Sequence, residues 1–114
     1  MKDKSVYIFA ALECIDLIVD YTSGFTLDSF LADRKTQDAV VRNLEVIGQA
    51  LKDFGIEVLI EEMPDKPWAQ IAGMRNVLAH EYLGVDMVMI WDTVQLHLND
   101  LRQTLDSLRN SGTV

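Results

Sequence analysis

The chain has 114 residues, of which 49% are apolar and 25% charged, an ordinary globular mixture of a size that fits one domain spanning residues 1–114. Its net charge of −8, from 18 acidic and 10 basic side chains, argues against a protein that coats nucleic acid through a broad positive surface. No apolar run approaches the roughly 18 residues of a membrane span, no signal peptide is legible in the first residues, and a single cysteine, Cys14, excludes an intrachain disulfide, so a reduced, cytoplasmic setting is expected.

The periodicity is helical nearly throughout, and no segment alternates with period two between turn signals. The first helix is predicted over residues 5–22, with Ile8, Leu12, Ile15 and Val19 as its apolar stripe and Ser23-Gly24 as its stop. A short helix over 27–32 follows, with Thr26 as cap. The clearest pattern is Val40, Leu44, Ile47, Leu51 and Phe54; Asp33 or Thr36 can cap its start, and Gly55 its end. Residues 56–63 can add a further turn or two before the break at Pro64-Asp65-Lys66-Pro67.

The next helix is expected over 67–80, ending before Gly84. Asp86 then caps a last helix whose stripe, Val88, Trp91, Val94, Leu98, Leu101, Leu105 and Leu108, continues unbroken for six turns. Gly48 and Gly73 each interrupt a helical pattern at a cost of about 1 kcal/mol relative to alanine, which a close crossing of their two helices would offset. The fold class implied is all-α: an up-and-down bundle of four to five helices.

The 67–80 segment departs from a simple core pattern. Arg75 and Asn76 interrupt its apolar face, and His80 follows Asn76 by one helical turn, so the amide can orient the imidazole. A histidine near neutral pKa can take the proton of a ribose 2′-hydroxyl, and an arginine can brace the phosphate as charge develops on it. Arg75 lies about 140° around an ideal helix from His80. One helix therefore does not aim both groups at one atom easily, and a two-fold partner chain could supply the matching residue.

Other residues invite plainer readings. Tyr82 can anchor the end of its helix through its hydroxyl. Trp68 fits a core anchor better than a base-stacking platform, and Cys14 fits a small buried apolar residue. His97 sits beside the last stripe, without a ligand role. No metal-ligand spacing and no glycine-rich phosphate loop is present, so neither a metal nor a cofactor is expected. The acids Asp53, Glu57, Glu61, Glu62 and Asp65, with no base among them, form either a solvated face or a docking surface for a basic partner.

The stretch from Pro67 through Ala69, Gln70, Arg75, Asn76 and His80 to Tyr82 closely resembles the signature of HepT-like toxins of the HEPN superfamily: an arginine, a polar residue, a histidine, then x-Tyr. The stretch Arg42-Asn43-Leu44-Glu45-Val46-Ile47-Gly48-Gln49-Ala50 resembles the same family's third helix, and the likeness covers nearly the whole chain. The resemblance implies a helical bundle that forms a homodimer with a composite cleft, metal-independent RNA cleavage by Arg75, Asn76 and His80, and a minimal nucleotidyltransferase antitoxin (MntA type) that transfers AMP to Tyr82. The alternative is a non-catalytic helical accessory subunit of a nucleotidyltransferase, which the acidic charge keeps open.

Overall fold

The computed structural model describes residues 4–66, 68 and 86–110. Among these there are six helices and no strand: α1 (Ser5–Thr22), α2 (Leu27–Leu31), α3 (Arg34–Phe54), α4 (Ile56–Glu62), α5 (Met87–Leu96) and α6 (Leu98–Asn110). The all-α architecture is therefore present. The expected 67–80 helix, including Gly73, falls almost wholly outside the described residues.

Helix ends follow local chemistry. Thr26 and Ser29 close a reciprocal capping box on α2, with Ser29 N–H donating to Thr26 Oγ1 at 3.2 Å and Thr26 N–H donating to Ser29 Oγ at 2.8 Å. Asp33, not Thr36, caps α3, accepting from Thr36 N–H at 3.1 Å. Asp86 caps α5 by accepting from Val88 N–H at 2.9 Å. Gly55 both ends α3 and starts α4 with φ +121°, a backbone conformation that side chains strongly disfavour, so the chain turns its corner in one residue.

The core is one cluster. Helix α1 packs against α3 and α6, while α2 sits against α3 and α5. Ile8, Ala11, Leu12, Ile15 and Ile18 of α1 meet Val40, Val41, Leu44, Ile47, Leu51 and Phe54 of α3, and Phe30, Leu59, Ile90, Leu98 and Leu105 complete the interior. Phe30 also stacks obliquely on Trp91, with ring centroids 5.2 Å apart. Gln37 is buried at the start of α3, where its amide donates to the carbonyls of Phe30 (2.9 Å) and Leu31 (3.0 Å) and so satisfies the end of α2.

Two details differ from the periodicity. Val19 is 55% exposed and Ile18 is fully buried, so the α1 stripe leans by one residue toward Ala11, Ile18 and Thr22. The last helical stretch is interrupted at His97, where the backbone turns to φ −121°, and Val88 and Leu96 are exposed while Ile90 is buried. The stripe thus serves two shorter helices, each aligned on its own neighbours, rather than one six-turn rod.

Candidate active site

Arg75, Asn76, His80 and Tyr82 lie outside the described residues. What the structure gives is the frame at either end of their segment. On the entry side, Trp68 is 1% exposed, and its indole N–H donates to Met63 O at 2.9 Å. Lys66, just before it, reaches Asp100 of α6 at 3.4 Å. A fully buried indole with its N–H satisfied is a fixed point, so the core-anchor reading of Trp68 holds. On the exit side, the Asp86 cap fixes the start of α5.

The second sequence stretch singled out, residues 42–50, is fully described and lies on α3. Leu44, Ile47, Gly48 and Ala50 are buried. Asn43 donates to Ala39 O at 2.9 Å along its own helix. The remaining side chains turn outward: Arg42 pairs with Glu45 at 3.7 Å, and Gln49 donates to Asp53 Oδ1 at 2.9 Å. Together with Tyr7 and Ala10 of α1 they line a groove of about 310 Å³ whose apolar lining includes Ala10, Val46 and Ala50. The groove was not evident from the sequence alone. Its signal was the polar spacing of Arg42, Glu45, Gln49 and Asp53, which puts all four on one helix face.

A second, shallower groove lies between α1 and α6, but its cations are already committed. Arg102 donates to Asp16 through Nε at 2.7 Å and through Nη2 at 3.2 Å, and also pairs with Asp106. Arg109 pairs with Asp106 at 2.6 Å and lies 5.6 Å over the Phe9 ring. The hydrogen bond from Arg102 holds the Asp16 carboxyl below its ordinary value. Burial, with help from Glu13, pushes the Cys14 thiol up, which marks it as an inert core residue.

His97 is exposed. The acids from Asp53 to Asp65 are all exposed in and around α4, as both a solvated face and a docking surface require. Among the described residues no group of His, Cys, Asp and Glu is placed to hold a metal ion, and no helix is long and apolar enough to cross a membrane.

Similar proteins give this frame its context. Residues 11–108 match the family described as Ribonuclease HepT-like. The protein MJ0127 of Methanocaldococcus jannaschii, named as a candidate RNase, is 38% identical over 110 residues, covering 96% of this chain and 90% of that protein. The "Probable ribonuclease HepT" of Thermococcus cleftensis is 38% identical over 103 residues, covering 90% and 93% respectively. The candidate RNase TTE0752 of Caldanaerobacter subterraneus is 32% identical over 108 residues, covering 95% and 96%. No solved structure matches. With a family match that spans most of its length and relatives aligned nearly end to end, the chain belongs to the HepT-like ribonuclease family.

Proposed function

We propose that the protein is a metal-independent endoribonuclease toxin of a toxin–antitoxin module, acting as a homodimer. The observation that carries this reading is the family match over residues 11–108, a range that includes Arg75, Asn76, His80 and Tyr82. In this reading His80 removes the 2′-hydroxyl proton. The 2′-oxygen attacks the adjacent phosphorus, the bond to the 5′-oxygen breaks, and that oxygen leaves with a proton. The products are a 2′,3′-cyclic phosphate and a 5′-hydroxyl end. Arg75 braces the phosphate and stabilises the charge that builds on it, and Asn76 orients the imidazole or the phosphate.

The poor convergence of Arg75 and His80 on one ideal helix supports a site shared between two chains. Tyr82, two residues beyond His80, is the proposed acceptor of AMP from a minimal nucleotidyltransferase antitoxin. Each AMP adds a phosphodiester of charge about −1 and a nucleoside, which together exclude RNA by repulsion and by bulk.

The test is RNA cleavage in chelator by the parent, by His80→Ala and by Arg75→Ala, with the product ends identified and the mass measured by sedimentation. The parent is expected to cleave and to sediment at twice the chain mass. His80→Ala should be inactive, and Arg75→Ala reduced about 10²-fold or more. Activity that disappears in chelator and returns with magnesium overturns the metal-independent mechanism.

A further inference from the structure

The outward face of residues 42–50 is not used by the proposed chemistry, yet it lines a groove beside α1. We propose that this α1–α3 groove is a base-recognition subsite for single-stranded RNA and that it takes an unpaired guanine. The inference rests on the ribonuclease reading and names a feature of its substrate.

Charge limits what the groove can admit. One guanidinium, Arg42, stands with two carboxylates, Glu45 and Asp53, on the α3 face that lines the groove. The local balance is negative, so a phosphate is disfavoured there and the sugar–phosphate chain must run outside. A neutral base is the part of RNA that such a groove admits. Its apolar lining of Ala10, Val46 and Ala50 suits a flat apolar face, and Tyr7 adds an aromatic ring to that lining.

Hydrogen-bonding capacity then selects among the bases. Gln49 spends an N–H on Asp53 at 2.9 Å, which leaves its carbonyl oxygen as an acceptor. Glu45 is an acceptor only, and its side chain is 23% exposed, half-withdrawn from water, while Arg42 at the rim is 74% exposed. The groove therefore offers acceptors inside and a donor at its edge. Guanine is the RNA base whose Watson–Crick edge carries two adjacent donors, N1–H and N2–H₂, beside an O6 acceptor. Glu45 can receive both donors, and Arg42 can give to O6. Adenine and cytosine each present one donor group beside an acceptor, and uracil one donor between two acceptors, so each leaves an acceptor facing an acceptor.

Glu45→Gln provides the sharp test, because an amide donates where a carboxylate only accepts. Its edge then matches adenine, with Oε1 accepting from N6–H₂ and Nε2 donating to N1. Random-sequence single-stranded RNA is cleaved by the parent and by Glu45→Gln, and the fragment ends are sequenced. The parent should show guanine enriched at a fixed distance from the cut. Glu45→Gln should lower that enrichment about tenfold and raise adenine at the same place.

An unchanged base profile in Glu45→Gln overturns the subsite. So does an equal loss of rate on every sequence, or a loss of dimer mass instead of a change in profile, which would make the groove a protein interface. Backbone amide shifts of the parent, titrated with guanosine 5′-monophosphate and separately with uridine 5′-monophosphate, test the groove without cleavage. Shifts at Ala10, Glu45 and Gln49 with the guanine nucleotide alone support it even if the protein cuts no RNA. Shifts elsewhere, or with both nucleotides alike, refute it.

Discussion

Trp68 is the point where the core grips the start of the Arg75–His80 segment, and its removal has a calculable cost. Trp68→Ala empties a site that is 1% exposed, and a change of this kind costs about 3–5 kcal/mol. Trp68→Phe keeps most of the ring but loses the 2.9 Å bond from the indole N–H to Met63 O, worth about 1 kcal/mol. The orphaned carbonyl is not left without a donor, because Lys66 N–H also reaches it at 3.3 Å. With a modest gap from the smaller ring, the phenylalanine variant should lose about 1–2 kcal/mol. At about 4 °C per kcal/mol for a domain of this size, that lowers Tm by about 4–8 °C, and the alanine variant by about 12–20 °C. Thermal unfolding followed by far-ultraviolet circular dichroism measures both, at one fixed protein concentration because the proposed dimerisation would make Tm concentration-dependent. A phenylalanine variant that melts with the parent, or an alanine variant that falls by less than the phenylalanine figure, would refute Trp68 as a core anchor.

Three further outcomes are expected. Cys14 should resist iodoacetamide at pH 8 in the folded protein and react promptly in denaturant, since burial raises its pKa and blocks access; equal rates in both states would contradict the packing. The Asp16 carboxyl is held low by Arg102, so its contribution to stability is full above the ordinary carboxylate pKa and is lost as pH falls through the lowered value. Asp16→Asn should therefore flatten part of the acid side of the stability–pH curve and change nothing in the curve's shape near neutrality, as urea unfolding at a series of pH values would show. Intact mass should reveal AMP added by the cognate nucleotidyltransferase with ATP and magnesium, and Tyr82→Phe should stay unmodified; full modification of the phenylalanine variant would place the acceptor elsewhere.

Much of the fold was legible because short-range chemistry decides it. Helix α1 occupies Ser5–Thr22 as its stripe and its Ser23-Gly24 stop require, and Thr26, Asp33, Gly55 and Asp86 act as the caps that their side chains or backbone freedom suit them for. What periodicity could not give depends on neighbours. Val19 and Ile18 both fit an apolar face, and only the placement of α3 and α6 decides that Ile18 is the buried one. The interruption at His97 is invisible for the same reason, because an unbroken stripe is compatible with one helix or with two set at slightly different angles. The family was legible as a motif, since Arg75, Asn76, His80 and Tyr82 stand at a recognisable spacing; the placement of those side chains lies outside the described residues. The α1–α3 groove was not legible, because a polar face at helical spacing reads as solvated surface until a second helix is laid beside it.

The Gln37 amide, finally, sets an order of events. A five-residue helix cannot persist in water on its own, because the cost of its first turn is never recovered over so short a length. The Leu31 carbonyl at the end of α2 accepts from a side chain that is in position only once α3 has formed and docked, and the Phe30 carbonyl accepts from that side chain together with Asp33 N–H. Helix α2 is thus a dependent of its successor in the chain. It should form after α3 and open no later than α3 does, so the protection of the longer helix is a ceiling on that of the α2 amide hydrogens.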